Sequence, residues 1–382
     1  MSTSYFTETQ DKLIFIKYYL FHSIMRNHFF VFLAFLFCFI NFSEAQNRNT
    51  QFNGFGHIEY NLNNQNQKNS YFSIGEHDFF VNSKLSDRIS YLGEYVIRFN
   101  GNSATSFLPS IERSLVKFNY SKLHSIIVGK IHTPLNYWND VYHHGRLFFP
   151  TVDRPFAFNY LIPLHTLGIQ FQGQNIGKLN FGYDVVWGNG ISSTDAFHAD
   201  THTPVSFAAH IKPVEGMRIG VSYYNEYLPD NVFGTHSGHT SNYVHHIGET
   251  YKGPINYELG CFSFAYFGKK VEVLNEFAFN RTRSDSLPQA NNFTNYLYLG
   301  FPIAEMHTPY IYADYLNVDQ NDLHTYEIEK YKVGLGYRYQ FNYQLNIKTQ
   351  LEYDAMIHNH ASTNVKATDP FVSFKIQLAY GF

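Results

Sequence analysis

The sequence predicts an all-β fold: a transmembrane antiparallel β-barrel of about sixteen strands, preceded by a cleaved signal peptide. Three observations carry that expectation. An apolar run near the N-terminus has the layout of an export signal. Long segments downstream alternate apolar and polar residues with period two, the mark of strands with two unlike faces. Tight turns fall at every second junction between those segments, as in bacterial barrels with short periplasmic turns and longer outer loops.

Composition fits this reading. The 382 residues include 31 Tyr, 38 Phe and 2 Trp, yet only 15% are charged, against roughly 25% in average soluble domains. Mean hydropathy is slightly negative, which does not suit a bundle of membrane helices. A net charge of −3 argues against a nucleic-acid partner needing a strong basic field. Of the two cysteines, Cys38 lies in the export segment. Cys261 is then left alone, so neither a disulfide nor a thiolate metal centre is expected in the mature chain.

The export segment is residues 29–40, an apolar run preceded by Arg26 and followed by Ser43-Glu44-Ala45. Small residues at −3 and −1 place the cut before Gln46. The run is shorter than the ~20 residues of a spanning helix. Bulky Phe37 before Cys38 argues against lipoprotein processing, and Met25 is a candidate start. The expected organisation is an N-terminal extension and signal peptide over 1–45 and a barrel over 46–382, with no room for a plug domain before the first strand.

Strands are expected at 51–62, 70–85, 88–100, 108–120, 122–131, 164–173, 177–188 and 204–213. Eight more follow at 216–228, 255–267, 270–281, 292–302, 306–317, 328–341, 343–356 and 370–382. The last three show the pattern best. Val333, Leu335 and Tyr337 alternate with Lys332, Gly334 and Arg338; Leu351 and Tyr353 with Glu352 and Asp354; Phe374, Ile376 and Leu378 with Lys375 and Gln377. A tilted span needs 9–11 residues, more than the usual globular strand of 5–6. The chain stops on an aromatic strand ending in Phe382, which resembles the signal read by barrel-assembly machinery. An open edge in hydrocarbon would leave backbone amides unpaired, so the sheet must close. Sixteen strands leave a lumen wide enough for water.

The longest connection, 132–163, is rich in proline and aromatic residues. It contains Gly129-Lys130-Ile131-His132-Thr133-Pro134-Leu135-Asn136-Tyr137-Trp138 at its start, then His143-His144-Gly145 and Arg154-Pro155. These runs resemble a porin-like outer-membrane family of Bacteroidetes, distantly similar to the sixteen-stranded phosphate-selective (O/P-type) porins. The family favours glycine where this chain has Asn136. Gly334-Leu335-Gly336-Tyr337-Arg338 with Leu351-Glu352-Tyr353 resembles the closing hairpin of many porins. In such porins the long loop commonly folds into the lumen. That resemblance makes Asp140, His143, His144, Arg146, Asp153 and Arg154 the candidate constriction residues; a loop merely packed on the wall is the alternative.

Strand parity points further charges into the lumen: Glu94, Arg98, Arg113, Lys117, Lys130, Arg218, Glu272, Glu276, Asp314, Arg338, Lys348 and Glu352. Both signs occur, without the cationic ladder of a phosphate-selective channel. His236, His239, His245 and His246 with Glu249 include a His-x-x-His pair, but not the His-Glu-x-x-His of zinc proteases; they read as solvated loop residues, and no metal or cofactor is expected. No Gly-x-Ser-x-Gly elbow is present, so the chain is not expected to be an enzyme. The function expected is passive diffusion of small hydrophilic solutes or ions through an outer-membrane channel of a Gram-negative bacterium. Alternatives are a surface-binding, adhesin-type barrel or a barrel enzyme. Expected partners are outer-membrane lipid, the barrel-assembly machinery and the solutes, with a homotrimer compatible with the class.

Overall fold

The computed structural model describes residues 49–64, 69–99, 107–190, 203–228, 254–285, 288–319, 321–322, 327–360 and 365–382. The expected signal segment and the 236–249 histidine cluster lie outside them. The strands are β1 Thr50–Asn63, β2 Asn69–Lys84, β3 Ile89–Phe99, β4 Phe107–Asn119 and β5 His124–His132. After a long connection come β6 His165–Ile176, β7 Phe181–Asn189, β8 Val205–Ile211, β9 Met217–Leu228, β10 Ile255–Phe267 and β11 Glu272–Ser284. The circuit ends with β12 Ala290–Gly300, β13 His307–Asn317, β14 Glu327–Asn342, β15 Leu345–His360 and β16 Val365–Gly381.

Each strand pairs with its chain neighbours, and β1 pairs antiparallel with β16 from Phe55↔Gly381 to Asn63↔Ser373, closing a sixteen-stranded barrel. Closure leaves no sheet edge for hydrocarbon to strand. Gly54 and Phe382 exchange backbone hydrogen bonds of 2.9 and 2.8 Å at the seam, so the last residue is stitched into the wall. Gly381 N–H also donates to Gln344 O of the β14–β15 turn, putting the end of β16 on the rim of short turns. One expected turn moves: the residues 173–176 belong to β6, which carries a register irregularity between Gly173 and Ile176, and the turn follows at 177–180.

Burial is inverted relative to a water-soluble fold. Val128, Phe171, Trp187, Val221, Leu335 and Leu351 are exposed on the outside, while Asn346, Lys348, Gln350 and Gln377 are fully buried inside. Alternation along each strand sorts the two sets between lipid and lumen. The inner face of β10–β13 departs from this rule. There Leu259, Leu274, Tyr296, Tyr298, Tyr310 and Tyr312 join one apolar core with residues of the 133–164 connection.

Candidate functional site

The connection between β5 and β6 begins partway up the wall. His132 and His165 are cross-strand partners, whereas β4 beside them continues upward to Phe107. The chain therefore leaves the sheet inside the barrel. Its neck is closed by Thr133 N–H to Leu164 O at 3.0 Å and by Asn139 Nδ2, which donates to Thr133 O at 2.7 Å and Leu164 O at 3.2 Å. Asn136 has φ 63°, the left-handed region where glycine is free of strain and asparagine is among the tolerated exceptions. One π-turn, Trp138–Tyr142, and one α-turn, Phe156–Tyr160, are the loop's regular structure. Leu135, Trp138, Phe149, Phe156, Phe158 and Ile162 are buried against the aromatic inner wall, which gives the loop an apolar anchor.

Polar contacts fix its course around the lumen. Ser222 of β9 accepts from Asn136 N–H at 3.2 Å, and Glu276 of β11 accepts from Trp138 N–H at 2.8 Å. Farther round the wall Lys348 of β15 donates to three loop carbonyls, those of Arg146, Phe149 and Thr151, at 2.6, 3.1 and 3.3 Å. Asp314 of β13 takes Phe156 N–H at 2.7 Å, and Tyr257 of β10 donates to Leu161 O at 2.5 Å. The loop spans the lumen rather than lining one side of it. At the short-turn mouth a cavity of about 720 Å³ remains, bounded by Tyr137 and Val141 of the loop and by Lys212, Arg218 and Phe267 of the wall.

The six candidate constriction residues sit in the seam between loop and wall. Asp140 pairs with Arg218 at 2.5 Å. Asp153 pairs with Lys375 at 2.6 Å and Lys332 at 3.4 Å. Arg154 meets Glu76 of β2 at 2.7 Å, and Arg146 lies 4.0 Å from the same carboxylate and donates to Val152 O at 2.5 Å. His143 donates from Nδ1 to Asn139 Oδ1 at 2.8 Å. His144 lies between Glu76 and Glu112, 3.3 and 3.1 Å away. Burial disfavours its charge, but the Glu112 and Glu76 carboxylates prevail and push the imidazole up to about 9. Burial likewise works against the Asp153 carboxylate, yet Lys375 and Lys332 hold it well below the usual range.

The parity-assigned wall residues all occupy the inner face, most of them already paired. Arg113 bonds Glu94, Arg98 bonds Glu112 at 2.7 Å, and Lys117 donates to Gln172 at 2.9 Å. Lys130 donates to Ile111 O at 2.6 Å, Arg338 meets Glu272 at 2.7 Å, and Glu352 meets Lys375 at 2.7 Å. Glu276, Asp314, Lys348 and Arg218 hold the loop as described.

Sequence reasoning missed Glu76, Glu112 and His165, which meet the loop's histidines. Glu112 is the extra residue of a β-bulge: Glu94 pairs with Arg113 and Tyr95 with Ile111, leaving Glu112 between them. Bulges re-aim side chains, and this one turns Glu112 and Arg113 to the same face.

No family model and no curated protein matches the sequence. Solved structures do match. The anion-selective porin from Comamonas acidovorans is 9% identical, with 87% of this chain and 99% of that chain covered and a TM-score of 0.62. OmpT of Vibrio cholerae, an outer-membrane protein, is 13% identical over 87% and 97%, TM-score 0.59. The outer membrane channel DcaP of Acinetobacter baumannii is 8% identical over 87% and 97%, TM-score 0.58. This likeness is one of fold: the chain shares the barrel architecture of outer-membrane porins.

Proposed function

We propose that the chain is an exported outer-membrane channel through which small hydrophilic solutes or ions diffuse passively, and that the loop at 133–164 sets how narrow the passage is. The observation carrying this reading is a closed barrel, apolar outside and largely polar inside, with its longest connection leaving the wall at β5, folded into the lumen and tied to β13, eight strands away around the circuit. A water-filled lumen gives lumen charges a purpose, and a loop across it gives size and charge limits. The motif at Gly129–Trp138 supports placing the chain with the Bacteroidetes porin-like family, and the trimer form reported for Vibrio cholerae OmpT makes a homotrimer the assembly to test. Charges of both signs, mutually paired, support weak ion preference rather than phosphate selectivity.

The test is single-channel conductance of the refolded chain in a planar bilayer, with and without residues 136–160. Steady steps that grow on deletion are expected. Silence from both folded proteins would overturn the channel reading.

A further inference from the structure

We infer that Glu112, His143, His144 and His165 form a zinc site that fastens the lumen loop to the barrel wall. The four come from three segments: β4 supplies Glu112, the loop supplies both middle histidines, and the start of β6 supplies His165. One donor atom from each lies within 4.8 Å of every other. A tetrahedral zinc with N and O ligands at ~2.0–2.2 Å sets its donors about 3.3 Å apart, so side-chain adjustment closes the site. Glu112 Oε2 already stands 3.1 Å from His144 Nε2 and 2.9 Å from His165 Nε2.

The ion pair between Glu112 and His144 accounts for only part of this convergence. Despite that 2.9 Å approach, neither Glu112 Oε2 nor His165 Nε2 makes a hydrogen bond among the described residues. Glu112 Oε2 is ion-paired with His144, but buried polar atoms are nearly always hydrogen-bonded, and this oxygen and His165 Nε2 facing each other without one leave a place for a cation between them. The far sides of the ligands are occupied, as the supporting shell of a metal site requires. Glu112 Oε1 accepts from Arg98 and from Ser110, both at 2.7 Å. His143 Nδ1 is held by Asn139, which directs its Nε2 at the cluster, and His144 Nδ1 faces Glu76. His132 stacks on His143 with ring centroids 3.6 Å apart and closes the site from the strand side.

Three imidazoles and a carboxylate are borderline ligands that suit zinc, and four protein donors leave no open position for a substrate; the ion replaces the proton that His144 carries between Glu112 and Glu76, which passes to solvent. The role is therefore structural. The two carboxylates, Glu112 and Glu76, balance the dication, while Arg98, 3.4 Å from His144 Nε2, and Arg154, 2.7 Å from Glu76, remain as positive neighbours. The sequence concealed this site because its ligands are far apart in the chain and one is placed by a bulge.

The test uses the full refolded protein, equilibrated with zinc, dialysed and assayed for metal, with cobalt(II) substituted in parallel. About one zinc per chain and the intense visible absorption of tetrahedral cobalt are expected. Both should vanish in Glu112→Gln and His165→Asn and persist in His124→Asn and in a variant with His236, His239, His245 and His246 changed to asparagine. Absence of retained zinc in the folded wild type, or retention undiminished in Glu112→Gln and His165→Asn, would overturn the site. If those two variants do not fold, the wild-type cobalt spectrum decides: tetrahedral supports the site, and octahedral or none refutes it. These readouts are independent of conductance, so the site can stand even if the channel reading fails.

Discussion

Asp153 sits between Lys332 and Lys375, with Gln350 donating to the same oxygen at 3.2 Å. It is the loop's ionic anchor to β14 and β16. Replacing it with asparagine leaves the two lysines to the wall carboxylates Glu352 and Asp354, and weakens loop docking by about 2 kcal/mol, the scale of a hydrogen bond to a charged group. Asp153→Asn should raise single-channel conductance or its flicker without altering barrel content by circular dichroism; unchanged records would show that the apolar contacts suffice. The pH dependence has a definite sign. The folded carboxyl titrates below its unfolded value of about 3.9, so the anchor is complete above that value and is lost as pH falls through the lower folded one. Conductance of the wild type should accordingly show no loop release between pH 7 and pH 5. Release inside that window would mean another group controls docking.

The strand pair β4–β5 shows how an irregular element makes a site. Gly129 of β5 has φ 134°, and a Cβ there would stand 2.1 Å from Ser114 O. Only glycine lets β5 lie against β4 beside the bulge that presents Glu112. Gly129→Ala should cost about 1–3 kcal/mol in urea unfolding from liposomes, plus the displacement of β4 backbone. Gly260→Ala in β10, where a Cβ meets nothing within 4 Å, should stay within about 0.5 kcal/mol of wild type. Equal effects at both positions would contradict the backbone argument. The same irregularity marks the limit of sequence reading. Period-two alternation and turn spacing made the strands and their faces legible, down to Lys348 and Glu352 inside and Leu335 outside. Proline and aromatic content singled out the loop. Parity, however, sends Glu112 outward whenever Arg113 points inward, and no local signal announces the extra residue. Parity with Asp314 turns Tyr310 and Tyr312 inward, but no charge on β12 marks the inner face of Tyr296 and Tyr298, and nothing announces that the apolar partner of all four is the loop, distant in sequence.

At the scale of the whole molecule, the barrel carries two apolar surfaces with different solvents. One faces out, where Leu335, Ile311 and Leu351 are exposed; the other faces in, where loop and aromatic wall bury Trp138 and Phe149. A chain built this way distinguishes them by what a charge costs. On the outer belt an arginine must be drawn into hydrocarbon, at about 2–4 kcal/mol near the midplane. On the inner wall cations are already accommodated, as Lys348 is by three loop carbonyls. Leu335→Arg, near the middle of β14, should therefore destabilise the protein in liposomes by roughly that amount while leaving single-channel conductance unchanged. Lys348→Met should do the reverse, costing the loop its carbonyl clamp and changing conductance while the outer belt stays intact. Both are read from urea unfolding in vesicles and bilayer recordings of the same preparations. If Leu335→Arg were neutral in lipid, the exposed belt would not be a membrane surface, and the inside-out assignment of the barrel would fall with it.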